Sequence, residues 1–443
     1  MNSLPLSRRT FVKRSTLSAA LVAFPFVSRH SVLGANSKLS IAAIGAGGKG
    51  GVDIGYCADE NVVALCDVDQ KNAAGTFAKF PNAKRYKDFR SMLEKEKGIE
   101  AVTISTPDHT HFHAAAMAMK LGKHVYIQKP LTHTIWEART LTKIARQKKV
   151  VTQMGNQGHS QADSRRLVEL IKGGVLGDVT EVHIWTDRPI WPQGHARPAA
   201  KPVPEHLDWD LWLGPAPWRE FHDGCVPFNW RAYWDFGTGA LGDMGCHNMD
   251  LAFTALDLKD PHTVAATSSG LNSETAPSWS VIASEYGARG KQPPVKLVWY
   301  DGGKKPEPSL AKQKDLPGNG SIFIGSKDTL FVPSYWGKGS FLSGAKMEDF
   351  GHIPISLPRH PKAADDNDAA QHLEWIEACK GLGKTRAHLE YAGPMTEAVL
   401  LGNVALRVGK KIQWDAKRMQ VTNAPEAAQF IKTEYRKGWE WKG

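Results

Sequence analysis

Beyond residue 38 the chain is written as short apolar runs separated by longer stretches that read as helix. Residues 39–44, 61–66, 101–106, 124–128 and 150–154 are largely apolar throughout, the pattern of strands buried on both faces. Residues 110–121 and 135–147 are the helices between them, and Gly122 supplies a left-handed stop after the first. Strand–helix alternation over residues 38–155 predicts an α/β fold with a doubly wound parallel sheet. In such sheets the ligand crevice lies at the carboxyl ends of the strands. The positions to read are therefore 45–50, 67, 106–111, 128–130 and 154–159.

The first strand leads directly into Gly45-Ala46-Gly47-Gly48-Lys49-Gly50, a complete G-x-G-x-x-G. Such a turn lets the backbone approach a pyrophosphate and aims the N-terminus of the next helix at it. The second strand ends in Asp67, 22 residues after Gly45, where a carboxylate would bind the adenosine ribose hydroxyls and repel a 2′-phosphate. A Rossmann domain binding NAD, with NADP disfavoured, is the expectation for residues 36–158. Gly45, Gly47, Gly48, Gly50 and Asp67 are its cofactor contacts, with Thr106, Pro107 and Gln128 at later strand ends.

Two motifs carry chemistry. In Gln128-Lys129-Pro130 the proline holds Lys129 extended at a strand end, projecting a cation that can hydrogen-bond a substrate hydroxyl. The plain alternative is a surface lysine before a turn. In the segment from Gly242 to Asp250, a helical reading places Asp243, His247, Asp250 and Thr254 within about 60° of one another. Met244, Leu251, Ala252, Ala255 and Leu256 lie on another side. A carboxylate beside an imidazole suits a general base near neutral pH. The plain alternative is a helix start capped by Asp243 with a solvated histidine.

Together these motifs resemble the glucose–fructose oxidoreductase / inositol dehydrogenase family (Gfo/Idh/MocA), in which G-x-G-x-x-G is followed by E-K-P and then G-D-x-G-x-H. The resemblance runs from about residue 38 to 415. It implies that Lys129 is the active-site lysine, that Asp243 and His247 meet the substrate's hydroxyls, and that His111 sits near the cofactor. It also implies that residues 159–443 form an α+β domain with a large, mostly antiparallel open-faced sheet, through which homo-oligomers form. One departure stands out. The motif's Glu is Gln128 here, which removes the charge expected to pair with Lys129.

Composition narrows the function. Apolar residues at 42% and charged residues at 23% are globular proportions, and 443 residues imply two domains. No apolar run is long enough to span a bilayer. Arg8, Arg9, Lys13, Arg14 and Arg29 contribute five of the formal +11, leaving a mild +6 for the rest and no basic cluster suited to nucleic acid. Those residues belong to a twin-arginine signal layout over residues 1–35, with an apolar stretch and the small-residue site Leu33-Gly34-Ala35. It predicts export by the twin-arginine machinery to a periplasmic or other extracytoplasmic location, released by cleavage or retained as an anchor. The five cysteines have no C-x-x-C spacing, so free and mostly buried thiols are expected.

Seven of the 15 tryptophans fall between Trp185 and Trp234. Trp209, Trp212 and Trp218 are expected to pack loops. Trp230, Arg231 and Tyr233, which run into the 243 motif, are expected to line a substrate pocket with Asn156 and His159. His109, His111 and His113 lack a carboxylate partner, and no metal site is expected. Residues 302–320 read as a polar loop, 368–379 and 394–408 as helices, and the tail with Trp439 and Trp441 as an interface element. The function that follows is an NAD(P)-dependent oxidoreductase acting on a sugar or polyol hydroxyl with tightly held cofactor. The alternatives are NAD-dependent glycoside cleavage with no net redox change, and a non-catalytic binding module.

Overall fold

The computed structural model describes residues 37–443, so the twin-arginine segment lies outside the described residues. Six parallel strands form the first sheet: β1 (Ser40–Ile44), β2 (Asn61–Cys66), β3 (Lys84–Tyr86), β4 (Ala101–Ile104), β5 (His124–Gln128) and β6 (Thr152–Gly155). Their order is β3-β2-β1-β4-β5-β6, the doubly wound arrangement whose crevice opens between β1 and β4. The five expected strands are all present, with ends within two residues of the expected bounds, and the edge strand β3 is added to them. β1, β4 and β5 are buried along nearly their whole length, as unbroken apolar runs require.

The helices obey local rules. Thr134 and Glu137 form a capping box at the start of Ile135–Lys148, which ends at Lys149 in the left-handed region. Gly122, at φ 77°, follows the Asp108–Lys120 helix as expected. That helix is buried on nearly every side because it lies between the sheet and the returning C-terminus.

Nine strands make the second sheet: β7 (Val179–Trp185), β8 (Thr263–Ser268), β9 (Ser280–Tyr286), β10 (Val295–Tyr300), β11 (Gly320–Gly325), β12 (Thr329–Val332), β13 (Ser340–Phe341), β14 (Ile412–Asp415) and β15 (Gln420–Val421). Their order is β13-β12-β11-β7-β10-β9-β8-β14-β15, antiparallel throughout except where β10 runs parallel to β7. One face packs on helices Gly239–Asn248 and Leu389–Val408, and their apolar side chains join the first domain's core without a break. The other face is only partly open. Ala311 and Leu316, from the stretch expected to be a polar loop, pack on Trp185, Ile322 and Phe331 and cover one end of it.

The chain does not leave the first domain for good at residue 158. Trp375 and Ile376 of the Asn367–Cys379 helix pack with Leu39, Ile41 and Tyr126. Residues 385–389 then lace along β6, with Met154 N–H donating to the Ala387 carbonyl at 2.8 Å. The tail also returns, which corrects its reading as an interface element. Trp439 is buried against Phe89 and His113, and Trp441 meets Phe112 edge-on. All five cysteines are free, and all but Cys379 are fully buried.

His113 ties that tail down. Its Nε2–H donates to the Trp439 carbonyl at 2.8 Å, while Nδ1 is buried without a partner among the described residues. Burial lowers its pKa from 6.5 to about 4. Below pH 6.5 the unfolded chain takes up a proton that the folded chain refuses, so stability falls as pH drops through this window. The expected loss from this group is about 1.4 kcal/mol per pH unit. Urea unfolding of wild type and His113→Gln between pH 7 and about 4.5 should show the variant with a slope shallower by that amount; equal slopes would mean that His113 titrates normally in the fold.

Candidate functional site

A cleft of about 580 Å³ lies at the carboxyl ends of the first sheet's strands, closed from above by the second domain. Its floor is the glycine loop. Gly45 adopts φ 79°, and a Cβ there would stand 2.6 Å from the Ser105 carbonyl oxygen. A Cβ on Gly50 would overlap the Gly45 carbonyl, so only glycine lets the next helix approach β1 this closely. Gly47 and Gly48 line the cleft directly.

Asp67 reaches back to this loop. Its Oδ2 accepts the N–H groups of Ala46 and Gly47, each at 2.8 Å, and Oδ1 accepts Asp69 N–H at 2.9 Å. Burial nevertheless raises its pKa. Thr106 and Pro107 also line the cleft, and the Thr106 hydroxyl is buried without a partner among the described residues. A loop in which Gly45 and Gly50 leave no room for a Cβ, a carboxylate at the end of β2 and an orphaned hydroxyl fit a dinucleotide with its pyrophosphate on the loop.

Chemistry gathers where β5 meets the second domain. Lys129 Nζ lies 2.6 Å from Asp243 Oδ1 and also donates to the Asp243 carbonyl at 3.2 Å. Lys129 is therefore not without a carboxylate; its partner comes from the other domain. Arg231 Nε approaches the same Asp243 oxygen at 3.2 Å, and Arg231 Nη1 donates to Asp108 at 3.1 Å. Burial pushes the Asp243 carboxyl upward, but Lys129 and Arg231 overcome it and hold the group well below the usual carboxylate range. His247, one helical turn on, is driven the other way. Burial first, and the Lys129 cation second, hold its pKa well below the ordinary histidine value. His247 is thus a neutral imidazole in a cleft, with Nδ1 buried and unpartnered among the described residues.

Gln128 faces a second layer. Its Nε2 donates to Asp53 Oδ2 at 2.8 Å, and the Ser105 hydroxyl donates to the same oxygen at 2.7 Å. Asp53 Oδ1 lies 3.1 Å from Lys49 Nζ and 3.4 Å from His372 Nε2. Burial opposes the Asp53 charge, but His372, Lys49 and Ser105 prevail and set its pKa to about 2. A permanent carboxylate thus stands behind the amide that replaces the motif's Glu.

Several expected site residues lie elsewhere. His111 does not line the cleft; its ring nitrogens meet the carbonyls of Pro130 and Thr106 at 2.9 and 2.8 Å, bracing both loops from behind. Tyr233 is buried against His222 and Phe236, because only the first part of its 3-10 turn faces inward. Asn156 and His159 both turn to Asp250, away from the cleft. Trp230 and Arg231 do line it. Trp209 and Trp212 stack in a buried cluster as expected, whereas Trp218 is 65% exposed. His109 meets the carbonyls of Phe236 and Trp212. Sequence reasoning missed Asp53, Asp108, His372, Tyr335 and Trp336. The last two lie in a polar loop, and the His247 ring meets Trp336 edge-on at 5.8 Å.

The Asp53 contact makes Gln128→Glu a sharp test. It sets a second carboxylate about one hydrogen bond from a permanent one, and two such groups cannot both ionise. The variant should lose about 3 kcal/mol of stability at pH 8, the scale of an uncompensated buried charge. Asp53→Asn in the same chain should restore most of it. Denaturant midpoints of the single and double variants check this, and an unchanged Gln128→Glu midpoint at pH 8 would contradict the contact.

The comparisons agree with this architecture. Residues 39–156 match the oxidoreductase family's NAD-binding Rossmann fold, and residues 161–292 match that family's C-terminal alpha/beta domain. The D-glucoside 3-dehydrogenase of Escherichia coli is 30% identical over 159 residues, covering 35% of this chain and 44% of that protein. The scyllo-inositol 2-dehydrogenase (NADP(+)) IolW of Bacillus subtilis is 23% identical over 284 residues, 60% of this chain and 67% of that protein. Four curated relatives are spanned over only 28% to 50% of their own lengths. The WlbA dehydrogenase of Bordetella pertussis, solved with NADH and UDP-GlcNAcA, shares the fold with a TM-score of 0.60 at 16% identity, covering 85% of this chain and 99% of that one. With both domains matched in sequence and the motif residues meeting in one cleft, the chain belongs to the Gfo/Idh/MocA oxidoreductase family.

Proposed function

We propose that this protein oxidises a secondary hydroxyl of a sugar, sugar derivative or polyol, using NAD held in the Gly45–Gly50 cradle. The observation that carries the reading is a neutral, buried His247 beside the Lys129–Asp243 ion pair, above a dinucleotide floor. Bound nicotinamide supplies the hydride acceptor. The chain supplies the rest. His247 takes the hydroxyl proton, because its imidazole is uncharged at neutral pH. Lys129 donates a hydrogen bond to the same oxygen and steadies its developing negative charge. Asp243 orients Lys129 and is anchored in turn by Arg231. Trp230 and Trp336 offer faces suited to the C–H surfaces of a sugar ring. The sugar and polyol dehydrogenases among the relatives support this substrate class. Asp67 favours NAD over NADP, and its carboxylate at the end of β2, lining the cleft beside the glycine loop, is the supporting observation.

We read the N-terminal segment as a twin-arginine signal delivering the folded, cofactor-loaded protein outside the cytoplasm. The uncovered end of the nine-stranded sheet suits a homo-oligomer contact. Export favours a second reading, in which the oxidised sugar loses its aglycone, adds water and is reduced again. The resemblance to a D-glucoside 3-dehydrogenase is consistent with its first step. Cleavage of a glucoside by purified protein with no added cofactor decides for it; turnover only with added NAD decides against it.

Purified protein should release NAD(H) on denaturation, and Asp67→Ala should narrow the preference for NAD over NADP; a chain that binds neither dinucleotide overturns the cofactor assignment. His247→Ala and Lys129→Ala should each lower turnover by roughly 10²-fold with NAD still bound. Their double variant should lose less than the product, since both act on one hydroxyl. The depressed His247 pKa also sets a sign: the base stays unprotonated into acid, so turnover should persist below pH 6.5, the ordinary histidine value. An acid limb centred near that value would show that another group is the base.

A further inference from the structure

A second cavity of about 530 Å³ lies at the seam of the two domains, separate from the cleft. Its size falls within the range of small-molecule sites. Thr152, His159, Thr254, Lys384, Arg386 and His388 line it. Its back wall is rigid, because residues 385–389 are laced to β6. The Thr385 hydroxyl donates to the Thr152 carbonyl at 2.8 Å, and Leu389 N–H donates to the Thr152 hydroxyl at 3.1 Å.

The acids around this cavity are all engaged. Asp250 accepts from Asn156 Nδ2 at 2.8 Å, Tyr391 Oη at 2.6 Å and His159 Nδ1 at 3.0 Å. Glu390 forms a two-point pair with Arg146, and Glu374 does so with Arg165. The donors facing the cavity are left over. Arg386 is half-buried, and among the described residues no ion pair or hydrogen bond takes up its guanidinium. Burial and the neighbouring Arg165 lower its pKa, and the nearby Glu374, already held by Arg165, offsets this only in part. His159 is 9% exposed; Asp250 holds its Nδ1 as the N–H, and Nε2 has no partner among the described residues. The 20-residue Leu389–Val408 helix starts at this wall, and its N-cap, His388, makes no side-chain cap. Its positive dipole end adds to the field of Lys384 and Arg386.

We propose that this cavity is a second ligand site, taking a small oxyanionic compound of monosaccharide size on Arg386, Lys384 and the start of the Leu389–Val408 helix. The Arg386 fork pairs with two oxygens of a carboxylate or phosphate. The remaining volume, with the Thr254 hydroxyl and the His159 ring at its edge, takes the ligand's hydroxyl-bearing part. Nothing in the cleft depends on these side chains, so the site is independent of the function proposed above.

The test is calorimetric titration of the full-length protein with D-gluconate, D-glucose 6-phosphate, inorganic phosphate and neutral D-glucose. At least one anion should bind in the millimolar range or tighter, and the anion that binds tightest identifies carboxylate or phosphate as the charged group. Arg386→Gln should weaken that binding by about 10-fold or more, the scale of a charge-assisted pair. His247→Ala, in the other cleft, should leave it unchanged. Lys384→Ala alters an exposed side chain and carries the test if Arg386→Gln does not fold; it should weaken the same anion several-fold. The proposal is overturned if no anion binds below roughly 10 mM, if Arg386→Gln and Lys384→Ala both hold the tightest anion as well as wild type does, or if binding is lost with His247→Ala and kept with Arg386→Gln.

Discussion

The ion pair between Lys129 and Asp243 is the contact on which the site depends. It joins the end of β5 to a helix of the second domain, at 2.6 Å, with both side chains almost withdrawn from water. Withdrawing two charges costs several kcal/mol each, so the pair is weak evidence of stability. What it supplies is position. Lys129–Asp243–Arg231–Asp108 is a chain of alternating charge that sums to zero and crosses the domain seam twice. Because Asp243 is already shared by two cations, it has little left to stabilise an imidazolium. The protonation state of His247 follows: burial decides it, and the base is neutral.

A second layer holds this pair in place. Asp53 collects hydrogen bonds from Ser105, just past β4, and from Gln128, the last residue of β5. It sits on the helix that starts at the glycine loop. One carboxylate thus ties together the floor of the cleft and the strand end that presents Lys129. Position 128 must then donate, not accept, and an amide does so where a carboxylate would repel. Where the E-K-P pattern has a carboxylate, this chain has an amide with a carboxylate one layer behind it.

The pattern of apolar runs was enough to read five of the first sheet's six strands, because parallel strands buried on both faces leave an unambiguous trace; the edge strand β3, polar and largely exposed, leaves none. The glycine loop, Asp67, Lys129, Asp243 and His247 were legible because each sits in a local motif. Asp53, His372 and Asp108 were not, since their meaning depends on partners up to 319 residues away, as with Asp53 and His372. Tyr335 and Trp336 come from a loop without periodicity. His111 misled for the opposite reason. It follows a strand end, where ligands are expected, but its turn of helix points the ring back at two carbonyls. The re-entry of residues 367–389 into the first domain left no trace in composition.

The reading of Asp243, His247, Asp250 and Thr254 as one face failed in an instructive way. A helical projection discards distance along the axis. Asp243 and Asp250 are seven residues apart, about 10 Å of rise, and Met249 interrupts the helix between them. That distance takes the same stripe from one cavity to another. Asp243 and His247 look into the cleft; Thr254 lines the second cavity, with Asp250 behind it holding His159. The short turn at Gln157–Ser160 repeats the division, with Gln157 in the cleft and His159, two residues on, in the other cavity. Polar side chains on one stripe are therefore evidence of a shared site only over about one turn, the separation of Asp243 and His247. Beyond that length the stripe reports a polar seam, and the seam here separates two cavities with different charge.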